Sequence, residues 1–506
     1  NFRMLITLIF CAILLYYGLR LAVFLKGVYR QHIFLTKIPG PPAVFLLGNV
    51  LELGDTSFET TAALLRWADE FRAKGHNLMR IWIGLRPMVL PLDGDALKPI
   101  LDSTEELTKG DDYDFFIPWL GLGLLISTNA KWKSRRRMLT PTFHFAMLDG
   151  YVEKMDKHAQ VLVKILADKV NNELDIYPYV KRCALDIICD TAMGTDLNSQ
   201  HDPNNPYVLA VGEFNTVARD YSLTWYYWIK PVWYMTKRAQ EVQLLDTLTG
   251  FTKKVIADRI AKHHSGELKF EDKKGKRKAF LDMLIEMKEA NALTEEDIRE
   301  EVDTFMFEGH DTTSSGMGWA LWCLATNPEV QEQAYAEVLS VFGGSDRSIT
   351  VEDLKGMPYL EKVIKEALRI FPAVPQVQRK VMNDFKIGKY TVPLGTDIMI
   401  APLLVHHNAK VWGADHWKFD PSRFDVDRAA GRHAYDYVPF SAGLRNCIGQ
   451  RFASYEEKLV IAWILRRFSI HTDREMMSNT CGAETVLRPI LGVPVTLRTR
   501  PALADA

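Results

Sequence analysis

The chain has 506 residues, 47% hydrophobic and 25% charged, with a formal net charge of −1. Such a chain builds an extensive globular core, and its near-neutral balance excludes a general attraction to nucleic acid. Its six cysteines (Cys11, Cys183, Cys189, Cys323, Cys447 and Cys481) include no Cys-x-x-Cys, so they argue for a reducing compartment rather than a disulfide scaffold.

Met4 to Leu25 reads MLITLIFCAILLYYGLRLAVFL, with Arg20 the only charge. At 1.5 Å per residue it is long enough to cross a bilayer core of about 30 Å, so it is predicted to be a single transmembrane helix. Arg3 precedes it while Lys26, Arg30 and Lys37 follow, and the positive-inside rule then keeps the rest of the chain in the cytosol. The rival reading is a cleaved signal peptide, but no Ala-x-Ala-like site follows the apolar stretch. The sequence begins at Asn1, so the initiator is either Met4 or lies outside it. Pro39-Gly-Pro-Pro42 then makes a stiff break between anchor and body. The division expected is residues 1–38 as membrane anchor with basic flank and 39–506 as a catalytic domain.

Tyr221 to Thr236, YSLTWYYWIKPVWYMT, interleaves Trp and Tyr and suits either a bilayer interface or a bulky packing helix, with packing preferred. Ser265 to Lys278 is polar and charged and is predicted to be an exposed loop between long helices. From Glu301 to about Cys323 no proline interrupts a long helix. On it Glu308, Asp311 and Thr312 stand at i, i+3 and i+4, so they share one face, and Gly309 is expected to let the backbone approach a ligand. A plainer reading has Thr312 bonding its own helix carbonyl and Asp311 facing solvent. Glu308 follows Phe305-Met306-Phe307, where a carboxylate is costly unless paired; it marks a functional site or a surface face.

The most informative segment is Phe440-Ser-Ala-Gly443-Leu-Arg445-Asn-Cys447-Ile-Gly449. A thiolate bound to haem iron needs N–H groups aimed at sulfur from a glycine-containing loop, a cation for a propionate and an aromatic to exclude water. Gly443 and Gly449, Arg445 and Phe440 supply these around Cys447. The plainer alternative is a free cysteine buried in a glycine loop.

These residues match Phe-x-x-Gly-x-Arg-x-Cys-x-Gly, and the chain resembles the cytochromes P450. Glu366-Ala-Leu-Arg369 resembles the family's Glu-x-x-Arg pair, and Phe419-Asp-Pro-Ser-Arg423-Phe424 its arginine segment, so a buried network of Glu366, Arg369 and Arg423 is expected. The resemblance implies one mainly α domain with small β-sheets, in place of the roughly three domains that length alone suggests. It implies haem b (iron protoporphyrin IX) with Cys447 as axial ligand and Trp132, Arg136, Arg379 and Arg445 at the propionates. By the Gly-x-Asp/Glu-Thr match, Thr312 steadies the reacting oxygen and Asp311 belongs to the proton relay.

Trp132-Lys-Ser-Arg-Arg136-Arg-Met-Leu-Thr-Pro-Thr-Phe-His144 and Phe305-Met-Phe-Glu308-Gly-His-Asp-Thr-Thr resemble the family-4 branch, which hydroxylates fatty acids at or near the ω carbon. In that branch the residue matching Glu308 can form an ester with a haem methyl. The resemblance also implies O2 and a lipophilic substrate, contact with membrane lipid, and residence in the endoplasmic reticulum membrane. Lys131, Lys133, Arg135 and Arg137 form a basic patch suited to an acidic electron donor, which in this family is NADPH–cytochrome P450 reductase, sometimes assisted by cytochrome b5. No Gly-x-Gly-x-x-Gly turn or flavin module is evident, so electrons come from a separate protein. Three alternatives remain: a broader monooxygenase acting on xenobiotics, sterols or other lipids, a haem-thiolate binding or sensor protein without turnover, and an isomerase or dehydratase of the same superfamily.

Overall fold

The structure is a computed structural model that describes residues 2–143, 145–265, 279–290 and 292–500. The loop expected at Ser265–Lys278 therefore falls almost wholly outside the described residues, as does His144.

The helices that matter for the site are α1 (Phe2–Leu35), α2 (Ser57–Ala73), α3 (Asn129–Leu139), α4 (Phe145–Ala167), α5 (Tyr177–Ile188), α6 (Pro206–Leu223), α7 (Arg238–His264), α8 (Glu295–Thr326), α9 (Pro358–Ile370) and α10 (Gln450–Arg467). Strands β1 (Leu78–Ile83), β2 (Arg86–Pro91), β7 (Asp397–Ile400) and β4 (Val377–Lys380) form a four-stranded sheet in that spatial order, parallel only between β2 and β7. Smaller sheets pair β3 (Glu173–Asp175), β11 (Pro494–Thr499) and β8 (Phe468–His471), β5 (Phe385–Ile387) with β6 (Tyr390–Val392), and β9 (Cys481–Ala483) with β10 (Leu487–Pro489). This is the mainly helical architecture with small sheets that the sequence implied.

Helix α8 is the axis of the body. Its 32 residues start from a reciprocal cap in which the Thr294 hydroxyl accepts from Asp297 N–H and the Asp297 carboxylate accepts from Thr294 N–H. It stops at Asn327 because Pro328 cannot continue it. Nearly all of α8 is buried, and Trp319 stacks on Phe371 with ring centroids 4.0 Å apart, locking the helix against the end of α9.

The N-terminal helix is longer than the apolar stretch alone indicated. It has 34 residues, its apolar turns are exposed, and it is the one helix among the described residues long and apolar enough to cross a membrane. Its last turns leave that regime. Arg30 pairs with Asp384, the Gln31 side chain donates to Leu394 O, and Leu35 and Ile38 are fully buried. The prolines at 39, 41 and 42 therefore follow, rather than precede, the first contacts with the body.

The aromatic segment at 221–236 divides its duties. Trp233 is buried, donates to Glu241 Oε2 (2.9 Å) and packs with Tyr221 and Phe115. Trp225, Tyr226, Ile229, Tyr234 and Met235 point outward.

Candidate active site

The Cys447 loop closes on itself when Cys447 N–H donates to Phe440 O (3.0 Å). Gly443 is indispensable there: its φ is +69°, and an added Cβ would collide with the backbone carbonyl of Leu101. The cysteine lies just ahead of the N-terminus of α10, so unpaired N–H groups and the positive end of the helix dipole face its sulfur. Burial pushes the Cys447 thiol up to about 11 and Glu308 adds to this, while Gly449 N–H and Arg136 favour the thiolate.

The sulfur opens onto a mainly apolar cavity of about 340 Å³. Across the cavity α8 presents Glu308, Gly309, Asp311 and Thr312, so all of these sequence-predicted residues meet the same space as Cys447. The Thr312 hydroxyl donates to Glu308 O at 2.7 Å, as the plainer reading held. Asp311 departs from that reading. It is 1% exposed, pairs with Lys181 of α5 at 2.7 Å and accepts from Asn215 Nδ2 of α6 at 2.9 Å. Burial opposes its charge, yet Lys181 holds the carboxyl below the usual range. Burial raises Glu308, and the Lys109 ammonium pulls it back. Gly309 serves packing: a Cβ there would lie 2.5 Å from Ile188 Cγ1, so the missing side chain lets α5 close on α8.

Cations converge beside the cysteine loop. Trp132 lies under the Arg445 guanidinium (4.6 Å to the ring centroid), and Arg136 donates to Asn446 O (2.6 Å) and Oδ1 (2.7 Å). Arg445 spends its donors on the carbonyls of Leu107, Leu124, Leu125 and Ser127, so it clamps the loop. Arg379 is buried on β4 and donates to Gln378 O (3.1 Å). Burial and Arg379 push Arg445 down to about 9, and burial, Arg379 and Arg445 push Lys109 well below its usual value. So dense a cluster of cations, with Glu308 as the carboxylate acting on it, suits an anionic ligand with two carboxylates. Together with a thiol facing the same cavity, this donor set fits haem.

Behind the loop the Glu366, Arg369 and Arg423 side chains meet. Arg369 grips Glu366 through two bonds of 2.7 and 2.8 Å and donates to His406 O and His416 O. Arg423 Nε lies 3.4 Å from Glu366, and its other nitrogens reach Trp412 O and Asp415 O.

Half of the basic patch is already used. Lys131 pairs with Glu300 (2.7 Å) and buried Arg135 with Asp297, both on the first turns of α8, which leaves Lys133 and Arg137 outward. Sequence reasoning passed over Lys109, Lys181, Asn215 and Arg219, which stand in no contiguous motif. Arg219 of α6 lines the cavity with Ser222, and its guanidinium pairs with Asp220, which Lys237 also binds (3.1 Å).

The family model for Cytochrome P450 matches residues 38–495. Cytochrome P450 4V2 of Homo sapiens is 41% identical over 472 residues, covering 90% of this chain and 88% of the relative. Cytochrome P450 4c3 of Drosophila melanogaster is 38% identical (95% and 92% covered), and Cytochrome P450 4c21 of Blattella germanica is 37% identical (99% of each). With the cysteine loop, the cavity and these matches in agreement, the chain belongs to the cytochrome P450 family of haem-thiolate monooxygenases.

Proposed function

We propose that this monooxygenase hydroxylates long-chain fatty acids at or near the ω carbon, with electrons from NADPH delivered by a separate membrane-bound reductase and, in some cycles, by cytochrome b5. The observation that carries the substrate class is a mainly apolar cavity that holds Cys447 and also Arg219 on a different element. An alkyl chain suits the apolar lining, and a carboxylate suits the guanidinium.

Haem bound through Cys447 supplies reductive activation of O2 and replacement of a C–H hydrogen by hydroxyl. Gly449 N–H, the start of α10 and Arg136 stabilise the Cys447 thiolate, and Phe440 shields it from water. Lys109, Trp132, Arg136, Arg379 and Arg445 provide the positive surroundings for the propionates, Arg445 mostly by fixing the loop. Thr312 holds a proton-bearing group at the cavity face, and Asp311, kept charged by Lys181, passes protons toward it. Glu308 is the residue for an ester to a haem methyl, which would stiffen the pocket and present the terminal carbon of the chain. Residues 1–38 serve as anchor and basic flank and 39–506 as the catalytic domain, on the cytosolic side of the endoplasmic reticulum membrane. The outward aromatics at 225–235 supply a second contact with lipid, and Lys133 and Arg137 contribute to docking the reductase.

The first test is the CO difference spectrum of the dithionite-reduced full chain and of Cys447→Ala. A strongly red-shifted Soret band in the first and none in the second is expected, and haem-loaded folded protein without that band overturns the ligand assignment. The second is substrate-induced spectral binding of a long-chain acid and of its alcohol to wild type and Arg219→Gln. Roughly tenfold weaker binding of the acid alone is expected for loss of a charged hydrogen-bond partner; equal effects on both remove the carboxylate assignment. If denaturing acid solvent strips all the haem from active protein, the ester to Glu308 is absent.

A further inference from the structure

Four buried polar atoms lie on the side of α8 away from the cysteine loop with no hydrogen-bond partner among the described residues: Asp303 Oδ1, Tyr207 Oη, His310 Nε2 and Asn215 Oδ1. All four residues are at most 4% exposed. A buried polar atom left dry costs about 1–3 kcal/mol, so four together are costly unless something satisfies them.

Their chemistry is complementary. His310 Nδ1 is 2.6 Å from Met306 O, which can only accept, so Nδ1 carries the proton and Nε2 is a free acceptor. Burial pushes His310 down to about 4, so the ring is neutral. Tyr207 offers a hydroxyl proton, whereas Asn215 Oδ1 and Asp303 Oδ1 accept.

Their placement is equally specific. Asp303 and His310 are two turns apart on one face of α8, about 10 Å along the axis. Tyr207 reaches in from α6 and packs on His310 (ring centroids 5.8 Å apart) and on Phe251 of α7 (4.7 Å). The hydroxyl of Thr252, the next residue, acts on Asp303, so the surroundings of Tyr207 run from one acceptor to the other. At the inner end Asn215 turns its amide nitrogen to Asp311. At the outer end Arg299 bridges Asp303 to Glu296, whose side chain is 65% exposed.

We propose that Asp303, Tyr207, His310 and Asn215 enclose a hydrated polar chamber between α6, α7 and α8, and that it carries protons from the outer end of α8 to Asp311. Waters strung along such a chamber would satisfy these atoms in turn, each with the help of neighbouring waters. Each event moves one proton and no electrons: Asp303 gives a proton to the chamber and regains one from bulk through the Glu296 end, while Asp311 receives one and releases it at the cavity. Burial holds the Asp303 carboxyl up to about 7, against Thr252 and Arg299, which suits exchange near neutrality. The charged and titratable groups facing this route are Glu296, Arg299, Lys181 and Asp311, with the Cys189 thiol beside Tyr207.

The inference rests on the reading of Asp311 as proton relay in a working monooxygenase. Its test uses haem-loaded full chain with reductase, NADPH and substrate, comparing wild type with Tyr207→Phe, which keeps the ring, and Asp303→Asn. Product formed per NADPH consumed is expected to fall about three- to tenfold, with a larger solvent isotope effect on kcat and unchanged CO difference and substrate-binding spectra. Independently of turnover, infrared difference spectra of the resting protein should show a protonated-carboxyl band that titrates near pH 7. Buried Glu301 and Asp397 are also held up to about 7, so the Asp303 contribution is the component of that band removed in Asp303→Asn, and that component should shift in Tyr207→Phe. Wild-type coupling and isotope effect in Tyr207→Phe, or a carboxyl band indifferent to it, overturn the chamber. A wild-type protein that consumes NADPH and O2 without hydroxylating any lipid overturns the relay reading beneath it.

Discussion

On the cysteine side of the cavity the arginines are each divided among several acceptors, although Ser441 Oγ, Glu456 Oε2 and Glu457 Oε2 lack a hydrogen-bond partner among the described residues. Arg369 and Arg423 are shared among Glu366 and four backbone carbonyls, Arg445 clamps four more, and Cys447 N–H closes its own loop. Across the cavity α8 carries Asp303, His310 and Glu301, each with a polar atom that has no hydrogen-bond partner among the described residues, although Arg135 Nε lies 3.7 Å from Glu301 Oε1. The first arrangement fixes a ligand in one geometry, because any rearrangement would strand a buried charge. The second leaves groups free to exchange partners, which proton movement requires and rigid ligation does not.

The largest way to break this contrast is Arg369→Leu, which strips the buried Glu366 of its two-pronged partner and leaves it Arg423, 3.4 Å away, and the Asp420 N–H. A loss of about 3–5 kcal/mol is expected, seen in denaturant unfolding and in failure to retain haem. Gly443→Ala attacks the same side through the backbone, adding a left-handed φ to a clash with Leu101 O. About 2–4 kcal/mol should be lost in the same assay. On the α8 side Gly309→Ala presses on Ile188 and is expected to cost about 1–3 kcal/mol, with unfolding the measurement again.

The smallest effect concerns pH and sharpens the contrast. Burial holds the Glu301 carboxyl up to about 7, against Leu124 N–H and Arg135. A folded value above the unfolded one means that this stability is full below about pH 4.3 and is lost as pH rises through about 7. Glu301→Gln keeps an acceptor for Leu124 and should flatten that decline by on the order of 1–3 kcal/mol. The check is the wild-type minus variant unfolding free energy from pH 4 to 8, and a constant difference would contradict it.

The cysteine side was legible because its chemistry is contiguous: ten residues carry thiol, glycines, aromatic and arginine together. The α8 face was legible because helical spacing alone aligns Glu308, Asp311 and Thr312. What escaped came from elsewhere in the chain. Lys181 and Asn215 reach Asp311 from α5 and α6, and nothing in their local sequence distinguishes them from solvated side chains. The basic run at 131–137 misled in the opposite direction, since its charges looked outward until Glu300 and Asp297 of α8 claimed two of them. Gly309 read as clearance for a ligand because the partner that needs the space, Ile188, lies more than a hundred positions earlier.

Helix α1 passes without interruption from exposed apolar turns into contacts with Asp384, Leu394 and the buried positions Leu35 and Ile38. A chain built this way has no joint between anchor and body. With α1 spanning a bilayer as proposed, hydrophobic mismatch would be relieved by tilting it, and the tilt would be transmitted to the body as a rigid rotation. On the proposed reading that Trp225, Tyr226 and Met235 touch lipid, bilayer thickness would then be a mechanical input, setting how deeply they press into the headgroups and at what angle the cavity meets the lipid.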